Sequence, residues 1–412
     1  MKNIIKIAFR NLKRSGRRTM LTAALITIGV IFVLVYSALS SSFKSYMIGE
    51  ITDSMMGHIQ IHKKGYIASV DNLPLDKNLG EKQLEKVLEA LEKNPYIESY
   101  TYRIKLGGMF SNYVSSTNIR LNAIDPEGES KTLPLFHKRV AQANEEILKK
   151  GEILIPELLA KGMHVKKGDT AVLVVNNKQG SVNGLNLKVA GIVEAISGPG
   201  GRDGYFHIED AKKVLRIKGA EVSEIVIRIK DVSQLNKAMM SLKPLSELKN
   251  DKDKPIFEIH AWTKLSPFFN IVKMLDLMDI SIKIILISIV LISILNVMIM
   301  SVYERIKEIG TIAAMGTTPA TIVKLFLTEG FILGVFGAVV GAVLSWLIVK
   351  GIDMFGVTFS FGRQSDLVLH PELLGSDIMI VGVIVIMISL IASISPAFKA
   401  AKLDPVEALR GN

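Results

Sequence analysis

Four stretches of this sequence hold no Asp, Glu, Lys or Arg over 20 residues or more: Thr19–Phe43 (25 residues), Ile284–Tyr303 (20), Gly330–Val349 (20) and Ile378–Phe398 (21). A helix rises about 1.5 Å per residue, so crossing a hydrocarbon core about 30 Å thick takes about 20 apolar residues. Charge closes every stretch at both ends: Arg18 and Lys44, Lys283 and Glu304, Glu329 and Lys350, Asp377 and Lys399. One such run fits a buried helix of a water-soluble protein; four in one chain predict four transmembrane helices. Composition agrees, because 49% hydrophobic residues are too many for a wholly soluble protein and 22% charged residues too many for one lying wholly in lipid.

Topology follows from Lys and Arg in the short segments, since long domains translocate largely regardless of charge. Residues 1–18 hold seven basic side chains (Lys2, Lys6, Arg10, Lys13, Arg14, Arg17, Arg18) and no acid. The amino terminus is therefore expected in the cytoplasm, and four crossings return the carboxyl terminus there. The inside segments 1–18, 304–329 and 399–412 hold thirteen Lys and Arg, against Lys350 and Arg363 alone in the outer loop 350–377. Residues 44–283 then form a large extracytoplasmic domain inserted between the first and second of the spans 19–43, 284–303, 330–349 and 378–398. Ala38 and Ser40 loosely resemble a signal-peptide cleavage site, but 25 uncharged residues far exceed a signal core of about 7 to 15. The predicted fold class is a membrane α-helical protein carrying a mixed α+β domain.

Ahead of the first span, Ile4, Ile5, Ala8, Phe9 and Leu12 recur at helical spacing, with Lys2, Lys6, Arg10 and Lys13 opposite. This reads as an interfacial amphipathic helix whose basic face meets anionic lipid. In the outer domain, Leu84, Val87, Leu88 and Leu91 predict a helix ended by Asn94-Pro95. Strands are expected near 97–104, 117–124, 170–176, 185–195 and 222–230, and further helices near 156–162, 209–217 and 232–242. Ser197–Gly204 reads as a glycine-rich flexible loop. Gly57–His62 alternates, with His58, Gln60 and His62 on one face and Ile59 and Ile61 on the other, which predicts a half-buried strand with a solvated polar face.

Enzymatic signatures are missing from the sequence. No Gly-Lys dipeptide occurs, so a phosphate-cradling Walker loop is excluded, and there is no His-Glu-x-x-His. The absence of cysteine removes disulfides, thiolate metal sites and cysteine nucleophiles together. His58 and His62 have strand periodicity and no acidic third ligand nearby, which favours a strand face over a metal pair. Ser41–Lys44 matches Ser-x-x-Lys, without the partner motifs of a penicillin-binding protein. No catalytic, metal or cofactor-binding residues are assigned, and no nucleic-acid partner.

Two motifs remain. The inside segment Glu304–Gly316 reads as a short helix between spans, followed by Thr318 as a cap and Pro319 as the first residue of the next helix. Its apolar Ile309, Ile312, Ala313 and Met315 fit two roles, docking to a partner or packing on the membrane ends of the same chain. Gly330, Gly334, Gly337 and Gly341 line one stripe of the third span, which implies a close helix contact within the chain or across a dimer. No span carries an ionisable residue, which disfavours an ion or proton pathway.

Taken together, Asn11–Arg18, Gly57–His62, Gly151–Ile155 leading to Val165–Asp169, Glu304–Gly310 with Ala314–Gly316, Glu329-Gly330 and the tail Pro396–Arg410 resemble the FtsX-like, MacB-type permeases of ABC transporters, most closely the lipoprotein-release (LolC/LolE) group. The loop and the tail are the specific parts, and the resemblance runs over essentially the whole chain. It implies an inner-membrane permease, two protomers of it, identical or sister chains, working with separate ATPase subunits that bind the ATP and magnesium, and a periplasmic domain that moves as ATP is hydrolysed. It implies ATPase coupling through Glu304, Glu308, Ile309, Gly310, Ala314, Met315 and Gly316. Lipoprotein or amphiphile substrate would meet Phe43, Met47, Phe268, Phe269, Met274 and Met278, with a periplasmic carrier or adaptor as a further partner. MacB-like efflux of peptides or amphiphiles, and FtsX-like signalling to a cell-wall hydrolase, are the alternatives the resemblance leaves open.

Overall fold

The computed structural model describes residues 2–14, 16–141, 147–194, 203–361, 364–404, 406 and 408. Along the chain, α1 (Lys2–Arg14) and α2 (Gly16–Ile51) lead through a π-helical turn, Thr52–Met56, to β1 (Ile59–Lys63). Then come α3 (Glu81–Glu92), β2 (Ile97–Ser111), β3 (Ser116–Ile124), α4 (Pro126–Thr132), β4 (Val140–Ala141), β5 (Glu152–Pro156), α5 (Glu157–Gly162), β6 (Thr170–Asn176) and β7 (Val182–Val193). After these lie β8 (Asp203–His207), α6 (Ile208–Leu215), β9 (Glu224–Ile229), α7 (Leu235–Ser241), α8 (Lys243–Ser246), β10 (Phe257–Ala261) and α9 (Trp262–Leu265). The rest is α10 (Phe269–Glu304), α11 (Ile306–Ala314), α12 (Pro319–Phe355), the hairpin β11 (Thr358–Phe361) and β12 (Gln364–Val368), and α13 (Gly375–Ala401). Most of the expected loop Ser197–Gly204 lies outside the described residues; its last two, Asp203 and Gly204, open β8.

Two compact units result. The helical unit takes Met1–Ser45, Ile271–Phe359 and Ser365–Asn412; the other takes Tyr46–Asn270 with Ser360–Gln364. In the helical unit, α2, α10, α12 and α13 are each long and apolar enough to cross a membrane. Helix hydrogen bonding outlasts the uncharged runs, because a charged side chain changes the preferred solvent and not the backbone geometry. Ile26, Val30, Leu34, Val290, Ile294, Leu333 and Val385 form the shared core. Lipid tails are as apolar as these side chains, so cohesion here rests on close approach rather than on expulsion of water. Glycine supplies that approach. A Cβ on Gly334 would sit 2.8 Å from Ser389 Cβ of α13, and one on Gly341 would sit 2.6 Å from Val30 Cβ of α2. Gly330 likewise abuts Ser393, and Gly337 abuts Ile26. The stripe is thus divided, its first half facing α13 and its second half α2.

The other unit is mixed α+β, completing the predicted fold class. Its sheet runs β10-β1-β9-β2-β3-β8-β5-β7-β4, with β6 bridging β2 and β7. Following the pairings, β2, β3, β8, β5, β7 and β6 return to β2, so six strands close on themselves. Among the described residues of this sheet, only β3–β8 and β5–β7 pair in parallel. Inside the closed part lie Ile104, Leu106, Phe110, Leu121, Leu173, Val189 and Phe206. A second core, with Ile59, Ile61, Val87, Leu91, Ile225 and Ile227, fills the space between the open strands and helices α3, α7 and α8.

Candidate functional site

At the end of the helical unit where α1, α11 and α12 meet, the centre is a carboxylate. Glu329 is only 2% exposed. Arg305 Nη1 donates to its Oε1 at 3.1 Å and Asn11 Nδ2 donates to the same oxygen at 2.9 Å. Arg305 Nε also reaches Glu308 Oε2 at 3.3 Å, Arg14 Nη1 lies 3.2 Å from Glu308 Oε1, and the Arg305 guanidinium lies 5.9 Å from the centroid of Phe326. One buried carboxylate therefore ties three helices, with each formal charge matched, as a buried ion needs.

Helix α11 itself is set between two punctuation points. Thr318 stands extended at the N-cap of α12 with Pro319 at its first position, and Gly316 supplies the left-handed turn (φ +90°) between the two helices. Of the coupling residues assigned from sequence, Ile309 and Gly310 turn inward and are buried, and Glu308 is half-buried in its ion pairs. Glu304, Ala314, Met315 and Gly316 face outward, Met315 with 73% of its surface exposed. Ile309 and Ala313 pack into the helical core, and Met315 projects from it.

The six residues that the resemblance places against substrate have different surroundings. Met274 and Met278 are about half exposed on α10, next to Leu277 at 66%. Phe43 packs edge-on against Phe359 (centroids 5.5 Å apart), Phe269 packs edge-on against Trp262 (5.8 Å), and Met47 is buried. Phe268 lines a cavity of about 280 Å³ in the α+β unit. Lys44 Nζ holds Asp276 Oδ1 at 2.6 Å, joining α2 to α10 beside Phe43.

That cavity lies over a face of the sheet that sequence alternation assigns to solvent. His58, Gln60 and His62 are all at most 5% exposed, correcting the solvated strand face. The reason is that both faces of the sheet are covered: the apolar face by the second core, the polar face by Met55, Met56, Ile67 and the Leu265–Phe268 segment. Strand pairing also brings His62 the acid that its own neighbourhood lacks. Glu224 Oε2 lies 3.5 Å from His62 Nε2 and 2.9 Å from Lys105 Nζ, and its Oε1 accepts from Arg103 Nη1 at 3.0 Å. Arg103 also forks onto buried Glu129, Nη2 to Oε1 at 2.5 Å and Nε to Oε1 at 2.9 Å. Burial alone would raise the Glu224 pKa; Lys105, His62 and Arg103 overcome it and hold the carboxyl well below the usual range. Asp203, beside Asn122 at 3.2 Å, is pushed up by burial. Sequence reading passed over Arg103, Lys105, Asn122, Asp203 and Glu224. The available signal was the alternation Arg103-Ile104-Lys105-Leu106 and Arg120-Leu121-Asn122-Ala123, which marks a polar face without telling whether it is wet. Among the described residues no cluster of three or more His, Cys, Asp and Glu is placed to hold a metal ion.

The chain thus carries four membrane-capable helices with an α+β unit inserted in sequence between the first and the second. The chain matches the MacB-like periplasmic core domain over residues 19–245 and the FtsX-like permease C-terminal region over residues 280–405. With more than half its length inside the first match, the chain belongs to the MacB-type, FtsX-like permease family. It is 21% identical over 409 residues, 95% of this chain and 94% of the relative, to the lipoprotein-releasing system transmembrane protein LolC of Neisseria meningitidis. LolC of Xylella fastidiosa is 24% identical over 70% of this chain and 72% of its own length. The macrolide export ATP-binding/permease protein MacB of Nitrobacter winogradskyi is 29% identical over 55% of this chain and 34% of its own length.

Proposed function

We propose that this chain is the permease subunit of a bacterial inner-membrane ABC transporter that uses ATP hydrolysis in a separate ATPase subunit to release lipoproteins from that membrane. The observation that carries the reading is the near end-to-end alignment with LolC of Neisseria meningitidis, against only a third of the MacB relative's length. Physical features fit it. Met274, Leu277 and Met278 offer apolar, adaptable side chains at the start of α10, suited to an acyl chain. Ala314, Met315 and Gly316 present a small, exposed, partly apolar surface beside α11 on which an ATPase subunit would dock, and a second permease protomer completes the assembly. Magnesium and ATP belong to the partner.

The test is reconstitution of the chain with its co-purifying ATPase in proteoliposomes carrying an acylated lipoprotein. ATP is expected to release the acylated protein and to leave a transmembrane-anchored version of the same protein in place. Release that needs no ATP, or equal extrusion of small amphiphiles with none of lipoprotein, would overturn the assignment, the latter in favour of efflux. Met278→Asp is expected to cut release at least tenfold while the ATPase rate without cargo stays within twofold.

A further inference from the structure

Two buried carboxylates stand on one face of the sheet and are provided for differently. Glu224 is matched by Lys105 Nζ at 2.9 Å, Arg103 Nη1 at 3.0 Å and His62 Nε2 at 3.5 Å. Asp203, 8% exposed, accepts at Oδ2 from Asn122 Nδ2 at 3.2 Å. Its Oδ1 has no hydrogen-bond partner among the described residues, and neither has Asn122 Oδ1, on a side chain 3% exposed. The buried Nε of Arg120 is also without one, 3.7 Å from Asp203 Oδ1. Register explains the grouping. Arg120 stands opposite Asp203 in the parallel pair β3–β8, and Asn122, two residues on, shares its face.

Buried polar atoms ordinarily find partners, so three without them in one corner need an explanation. The corner lines the cavity of about 280 Å³, together with Met55, Met56, Ile67, Leu265 and Phe268. Every lining residue belongs to the unit Tyr46–Asn270, and exposed Asp71, Lys264 and Pro267 open the cavity to solvent. Arg120 calls for an anionic acceptor, while Asp203 Oδ1 and Asn122 Oδ1 call for donors. A lone anion would be set against Asp203, and a lone cation against Arg120. An ammonium and a carboxylate on one carbon satisfy both. Burial pushes the Asp203 carboxyl up despite Lys105 and Arg120, and an ammonium at Oδ1 supplies the counter-charge its neighbours leave incomplete. The apolar wall then takes a side chain, with Met55 and Met56 adaptable to its shape. Small-molecule sites begin at about 300 Å³, so the space suits a ligand of amino-acid size.

We infer that this cavity binds a free α-amino acid with an apolar side chain: Asp203 Oδ1 and Asn122 Oδ1 receive the ammonium, Arg120 Nε donates to the carboxylate, and Met55, Met56 and Phe268 enclose the side chain. Such binding does not require that the chain release lipoproteins, and either can fail without the other.

The test uses the full chain in nanodiscs, with tritiated L-phenylalanine followed by scintillation proximity and displaced by unlabelled ligands. L-Phenylalanine and L-leucine are expected to displace it at a single site. Phenethylamine lacks the carboxylate, 3-phenylpropanoate lacks the ammonium and N-acetyl-L-phenylalanine amide lacks both charges; each should compete about tenfold more weakly or worse, the scale of one lost charge-assisted hydrogen bond. Arg120→Gln, at a side chain 41% exposed, should weaken L-phenylalanine by about tenfold while leaving phenethylamine within about twofold. Asp203→Asn should weaken L-phenylalanine comparably while sparing 3-phenylpropanoate. The ligand series on the parent protein needs no substitution, so it decides the matter even where Asp203→Asn folds poorly. No displaceable binding of either amino acid at millimolar concentration overturns the site, leaving a cavity that holds water. Equal competition by the doubly blocked amide overturns recognition of the charged head, and losses in the two variants that are the same for every ligand overturn the roles given to Arg120 and Asp203.

Discussion

Glu224 is 1% exposed yet charged, a state that burial opposes and Lys105, His62 and Arg103 impose. Because its pKa is lowered on folding, its contribution to stability is present above the ordinary value of 4.5 and is lost as pH falls toward the folded value. His58, also buried, has its pKa lowered from 6.5, chiefly by desolvation. The folded form of each group binds fewer protons than the unfolded form, so both effects have one sign: acid destabilises. By themselves these two groups give a level contribution above about pH 7 that falls as His58's unfolded range is entered near 6.5 and again below about 4.5 through Glu224, while Asp203 and Glu129, raised by burial, act with the opposite sign. Hydrogen exchange across β2 and β9 in the full chain, followed from pH 8 to 4, measures this directly. Glu224→Gln removes the second step. At neutral pH it should cost about 3–5 kcal/mol, because it strands buried Arg103 beside a neutral amide. A neutral-pH cost under about 1 kcal/mol would mean that the arginine is satisfied by Glu129 alone.

Among elements, what could be read from sequence depended on whether the deciding partner was local. The strand near 170–176 and the helix carrying Leu84, Val87, Leu88 and Leu91 follow from their own alternation and spacing, and β6 and α3 hold those residues. The close-packed glycines of α12 were visible as a stripe, but not the division of that stripe between α13 and α2, since each glycine's neighbour lies far away in sequence. The same limit hid the buried polar face. Arg103 and Lys105 alternate with apolar residues as they would on a wet strand, and only Glu224 and Glu129, brought in by strand pairing and by α4, make them interior. On α12 the packing gives a graded expectation. Gly334→Ala and Gly341→Ala place a methyl within 2.6 to 2.8 Å of a neighbouring helix's Cβ. Overpacking of this kind typically costs about 1–3 kcal/mol, against about 1 kcal/mol regained from helix propensity. Gly382→Ala on α13, with nothing within 4 Å, should be neutral or slightly stabilising. Thermal unfolding in detergent ranks the three, and equal midpoints for Gly341→Ala and Gly382→Ala would show that the helices separate more easily than their spacing suggests.

At the scale of the whole molecule, function turns on which side of the membrane each part occupies, and that is governed by charge placed at the ends of the spans. Seven basic residues precede Thr19 without one acid, and residues 350–377 hold two Lys and Arg where residues 1–18, 304–329 and 399–412 hold thirteen. Translocation of a basic segment is opposed at each short loop, whereas the long segment between α2 and α10 escapes that rule by its length. If ATP is consumed on the cytoplasmic side and cargo leaves on the other, Met315 and Val114 must lie on opposite sides. With no native cysteine, Met315→Cys and Val114→Cys report this without background. In spheroplasts a membrane-impermeant maleimide should label Val114→Cys fully and Met315→Cys not at all; in inverted vesicles the pattern should reverse. Neutralising the basic charge tests the cause. Replacing Lys6, Arg10, Lys13, Arg14 and Arg17 with Gln removes most of the bias of the amino-terminal segment, so part of the population should insert inverted, with Met315→Cys labelled in spheroplasts. Retention of a single orientation in that variant would transfer control of topology to the later charges, Arg305, Lys307 and Lys324, and the same labelling on a variant neutralised there would decide it.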